Sequence, residues 1–189
     1  MRAFYIKYGG NAATDKYPNG IKGAAQLKNF GEALGTNGLP TVLTPKEFDQ
    51  MVADGKFTTV TYRAVYPNPD LHMTAEQIID DYRYNRDMYI GYGVYGNGTY
   101  TNPDAHGVAS YYGNTYFRIG IDSNARIANS NTLYNEYTQF LTEARINLDM
   151  GEYALMRGYD AIYCEWGGHY NILNRTATYV VREDPFHFR

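Results

Sequence analysis

The sequence predicts an α+β fold with an antiparallel or mixed sheet. Three observations predict it. Two segments, "TPKEFDQMVADG" and "TAEQ", carry helix-start signals; several short runs are rich in β-branched and aromatic residues; and no regular strand-helix alternation links them. At 189 residues the chain is expected to be one domain, 1–189, with a loosely organised segment over 1–40 and a core over 41–189.

Within 1–40, "GGNAATDKYPNGIKG" is turn-rich and "AAQLKNFGEALG" predicts a short helix ending at Gly35. The next helix is better specified. Thr44 is placed to cap it, Pro45 to occupy its first turn and Glu47 to close a capping box. Phe48, Met51 and Val52 share one face, and Gly55 stops it. "KFTTVTYRAVY" then predicts a strand. A second helix opens with Thr74 and Gln77 as a capping pair and is expected to run to about Met88. "IGYGVYGNGTYT" is a glycine-broken extended segment, and "DAHGVASYYG" predicts a short helix ended by Gly113. "TYFRIGID" alternates Phe117, Ile119 and Ile121 on one face, which is a strand pattern. "NTLYNEYTQFLTEARINLDM" predicts helix, with a break before "GEYALMRG". "YDAIY" and "YNILNRTATYVV" predict two closing strands.

Composition narrows the function classes. The net charge is −3 with no basic stripe, so no nucleic-acid partner is expected. The single cysteine, Cys164, excludes an internal disulfide framework and cysteine-rich zinc sites. No run approaches the ~20 apolar residues of a membrane span, and the N-terminus lacks a signal-peptide pattern. Neither a membrane partner nor secretion by a signal peptide is expected. Tyrosine is abundant at 21 residues, which suits half-buried strands, interfaces and stacking on flat ligands.

Known motifs are mostly excluded. "GYGVYG" fits G-x-G-x-x-G in letters, but a strand follows it where a dinucleotide-binding turn needs a helix. His72, His106, His169 and His187 lack metal-ligand spacing, so no metal is expected. Cys164 reads as a buried inert thiol. Arg63 stands apart because it interrupts an otherwise uncharged strand, "TVTYRAVY". Such an arginine must snorkel, pair with a carboxylate or bind an anionic ligand.

Four blocks in order, "LPTVLTPKEFDQMVADGKFTTVTYRAVY", "YGNGTYTNPDAHGVASYYG", "YFRIGIDSNARI" and "GYDAIYCEWGGHYNILNRTATYVV", resemble the ADP-ribosyltransferase superfamily. The resemblance spans roughly residues 38–181 and is greatest to ADP-ribosyltransferase-like domains encoded by bacteriophages. It implies a split mixed or antiparallel sheet with flanking helices. It also implies NAD+ as substrate, without a metal, and transfer of ADP-ribose to a host or viral protein. Other virion proteins are further partners it implies, with host cytoplasm or virion as the location. The alternative is a catalytically degenerate fold serving as a virion structural or interaction protein.

The resemblance assigns roles residue by residue. Arg63 matches the family's strand arginine and would hold the pyrophosphate; Ala64 stands where the family usually has glycine. Gly96 and Gly98 match the glycine turn and would let the backbone approach the ligand. Tyr100 would pack on the nicotinamide, with Tyr112 as a second candidate, and Thr101 holds the family's Ser/Thr position. Ala109, Tyr112 and Gly113 match Ala-x-x-Tyr-Gly. The family's catalytic glutamate falls on Tyr170 or Asn171, and His169 falls where arginine-modifying members carry an additional acid. Asn171 could hydrogen-bond a ribose hydroxyl, and Glu165 in "CEWGGH" is the candidate replacement carboxylate.

Overall fold

The computed structural model describes residues 39–65, 75–84, 91–105, 115–144 and 149–183. The predicted helix ending at Gly35, the cap at Thr74, residues 85–90 and most of the "DAHGVASYYG" segment, Tyr112 included, lie outside them.

The described strands form two mixed sheets. The first runs β1 (Thr41–Val42), β8 (Thr178–Glu183), β4 (Thr115–Asp122), β2 (Phe57–Val65). The second runs β3 (Thr99–Thr101), β7 (His169–Ile172), β6 (Ala161–Cys164), β5 (Ile127–Asn129). Only β1 with β8 and β5 with β6 are parallel. The described helices are α1 (Pro45–Ala53), α2 (Ala75–Tyr84), α3 (Ser130–Ala144) and α4 (Met150–Met156). The protein is therefore α+β, as the missing alternation predicts. None of the described helices is long and apolar enough to cross a membrane.

Local chemistry explains where the elements begin and end. Thr44 accepts from the Glu47 amide while the Glu47 carboxylate accepts from the Thr44 amide, so the predicted capping box is made. The bond from the Thr44 amide, with a second from the Thr44 hydroxyl, holds the Glu47 carboxyl below its ordinary range. Of the predicted apolar face, Phe48 is buried against Phe57, at a ring separation of 4.9 Å, but Val52 is exposed. Val52 lies one turn further along the same face and is left uncovered. α4 starts on a second capping box, Asp149 with Glu152. The last predicted strand splits in two. The Asn174 side chain accepts from the Thr176 amide and donates to Asp160, turning the chain through a short 3₁₀ helix, Arg175–Ala177. β7 and β8 thus enter different sheets.

Strand alternation sorts the core into two clusters. Phe117, Ile119, Ile121 and Val180 from sheet 1 meet Ile172 from sheet 2, with Ile78 and Tyr82 of α2 packed among them. The opposite face of sheet 2, with Ala128, Ile162 and Cys164, is covered by Leu133, Phe140, Met150 and Tyr153 of α3 and α4. Sheet 2 is consequently apolar on both faces.

Arg175 pins α2 to this arrangement. Its side chain is 2% exposed, donates to the Tyr82 and Arg83 carbonyls, and lies 4.5 Å from the Tyr82 ring centre. Among the described residues no carboxylate pairs with it. The negative end of α2 and the ring face are its compensation. Arg175→Ala is expected to destabilise the fold by about 2–4 kcal/mol, measured by urea unfolding, because two helix-end carbonyls lose their donor and a cavity opens. Arg175→Met should cost less, since it fills the cavity without a buried charge.

Candidate functional site

The two sheets meet at one seam. Tyr62 of β2 and Asn102, just beyond β3, exchange both backbone hydrogen bonds, at 2.7 and 2.9 Å. This bridge sets the edge of one sheet beside the edge of the other. Arg63 stands opposite Phe117, a core residue, so its side chain leaves β2 on the side that faces sheet 2. There its Nη1 donates to the Tyr100 carbonyl at 2.8 Å.

A cleft of about 420 Å³ opens at the seam, within the size range of small-molecule sites. Arg63, Ala64, Tyr100, Thr101, Gly91, Gly93 and His169 are among the residues that line it. Arg63, Tyr100 and Thr101 are thus brought together. The Thr101 hydroxyl is buried and finds no hydrogen-bond partner among the described residues.

Tyr100 is framed by the glycine loop before it. Gly91 and Gly98 bond each other through both amides, closing residues 91–98 into a loop. The Tyr100 ring lies against Gly91 and Gly93, where a Cβ would come within 2.8 and 2.7 Å of it. Its hydroxyl donates to the Gly96 carbonyl at 2.7 Å. Burial raises the phenol above its ordinary range, so it stays neutral and keeps that bond. The His169 ring completes this wall, 5.7 Å from Tyr100 and 6.0 Å from Tyr95.

Other candidate residues serve the protein itself. A Cβ on Gly96 would meet the Gly151 amide nitrogen at 2.1 Å, and one on Gly98 would meet Asn171 Oδ1 at the same distance. Neither glycine lines the cleft; the close approach they permit is to α4 and β7. Asn171 is fully buried, and its amide donates to the Tyr95 and Gly96 carbonyls at 2.9 and 3.1 Å. Glu165 sits in the exposed β6–β7 turn, where its carboxylate accepts from Asn129 and Asn131 and its amide donates to Ser130 Oγ. It is held at the positive start of α3 and is not among the cleft residues. No acidic side chain is among the described residues lining the cleft.

Cys164 is buried in the second cluster, and that burial pushes its thiol up to about 12. A thiol so protonated at neutral pH is not a nucleophile. Gly91, Gly93 and Asn102 were not singled out as cleft residues by sequence. The "GYG" triplet carried a usable signal, since glycines two apart can flank a ring; His169 was aligned on the family's additional acid, and β7 places it beside Tyr100.

The fold and cleft define an α+β protein with a cationic, tyrosine-walled site between two sheets. No family model, no curated protein and no solved structure matches the chain.

Proposed function

We propose that the chain is an ADP-ribosyltransferase-like protein of phage type that takes NAD+ in the seam cleft and transfers ADP-ribose to a macromolecular acceptor. The observation that carries this reading is the convergence of Arg63, Tyr100 and Thr101 on one cleft. Arg63 supplies the charge and forked donors that a pyrophosphate needs. The Tyr100 ring offers a flat apolar wall for nicotinamide. Thr101 lines the same cleft at the position of the family's Ser/Thr. The reading also accounts for the split between the sheets, with the ligand lying where their edges meet.

One observation favours a second reading, a degenerate member that binds without transferring. Departure of nicotinamide leaves a cationic ribose, which a carboxylate would stabilise. The cleft residues include none, Asn171 is engaged by backbone carbonyls, and Glu165 is held at α3. Without that charge the rate falls by about a hundredfold or more.

Calorimetric titration with NAD+ and incubation of bacterial lysate with labelled NAD+ separate the readings. Binding with labelling of a protein supports the transferase. Binding without labelling supports the degenerate member. No heat and no label would overturn both as NAD+ proteins.

A further inference from the structure

We propose that Asn171 is a positioning residue that sets the tyrosine wall of the cleft through the Gly96 carbonyl; the ligand part of this inference rests on the NAD+ reading above. Asn171 stands opposite Tyr100 in the β3–β7 register, so both side chains leave sheet 2 on the same face. Its amide nitrogen donates to the carbonyls of Tyr95 and Gly96. The Gly96 carbonyl also accepts from the Tyr100 hydroxyl. Two side chains from neighbouring strands therefore meet on one backbone oxygen of the glycine loop. Tyr100 reaches that oxygen by crossing Gly91 and Gly93, which with Tyr92 line the cleft beside it.

The chemistry of the node selects an amide. Two carbonyl oxygens face the Asn171 nitrogen, so an oxygen there would repel both and an apolar group would leave both without this donor. Gly98 is the steric counterpart, because a Cβ at that position would strike Asn171 Oδ1. Asn171 therefore acts on a ligand through Gly96 and Tyr100 and does not touch it.

The test is a cycle of Asn171→Ser, Tyr100→Phe and the double variant, read by amide hydrogen exchange and by NAD+ titration. In Asn171→Ser, exchange at the Gly91, Gly96 and Gly98 amides is expected to rise by about 10-fold, while Ile119 and Val180 in sheet 1 are unchanged. Tyr100→Phe should loosen the same three amides, and the double variant should depart from the product of the singles by about threefold or more. Asn171→Asp adds a readout that a merely structural role would not move. Its loop protection should be low at neutral pH and return in acidic buffer, where a protonated carboxyl again donates to a carbonyl. NAD+ affinity should fall by about 10-fold in Asn171→Ser with Arg63 intact. Unchanged loop exchange in both single variants, or singles that multiply independently, overturns the proposal. If the native chain binds no NAD+, the ligand part fails together with the NAD+ reading, and the exchange cycle alone decides whether Asn171 orders the wall.

Discussion

Gly96→Ala is expected to destabilise the fold by about 3–5 kcal/mol, the largest stability loss among the single substitutions considered. Two causes add. Gly96 has φ +85°, a conformation in which a Cβ is strained. The added Cβ would also lie 2.1 Å from the Gly151 nitrogen, 2.7 Å from the Gly151 Cα and 2.5 Å from Asp149 Oδ1. Two of those three atoms are backbone and cannot rotate away. The third belongs to the capping box that starts α4, so relief by moving Asp149 would forfeit that cap, worth about 1 kcal/mol. Gly55→Ala is the control, since φ there is +65° but nothing lies within 4 Å of the added Cβ. It should cost only about 1 kcal/mol, and the difference isolates the clash. Urea unfolding of the two variants measures it. Equal losses would show that α4 does not press on the glycine turn.

That clash ties the cleft to the helical side of the molecule. The turn touching Gly151 is the same turn whose carbonyl holds Tyr100 and Asn171. Packing of α4 under sheet 2 therefore fixes how the tyrosine wall stands at the seam. A substitution behind the sheet can reach the cleft by this route without touching any residue that lines it.

Elements whose signals are local were legible in the sequence. The Thr44–Glu47 box and the alternation of Phe117, Ile119 and Ile121 need only neighbours a few residues away, and both stand where they were expected. The second box, Asp149 with Glu152, is equally local, but its Asp149 lies inside a stretch, "NTLYNEYTQFLTEARINLDM", whose composition reads as continuous helix. "YNILNRTATYVV" read as one strand because its β-branched residues outweighed Asn174 and Arg175, whose roles depend on Asp160 and α2. In the cleft, Arg63 was legible as a lone charge in an apolar strand. Gly96, Gly98 and Asn171 were singled out but for a different use. Each looked available to a ligand because its actual neighbours, Gly151, Asn171 and the Tyr95–Gly96 carbonyls, lie far away in sequence and meet only in the fold.

Removing the cation should have the largest effect on binding. Arg63→Ala is expected to weaken NAD+ by about 100-fold or more, since bonds to a charged group contribute about 1.5–3 kcal/mol each and a pyrophosphate takes more than one. Stability should fall by less, about 1.5 kcal/mol, the low end for a bond from a charged group on a half-buried side chain. Arg63→Lys should recover little of the affinity. In the native chain Nη1 donates to the Tyr100 carbonyl, and a lysine would offer one nitrogen both for that bond and for the ligand. The order arginine, then lysine, then alanine in NAD+ affinity, with no larger loss of stability, marks a ligand-binding cation. The reverse pattern, level affinities with a loss of several kcal/mol in stability, would make Arg63 a structural pin between the sheets and remove the anchor of the NAD+ reading.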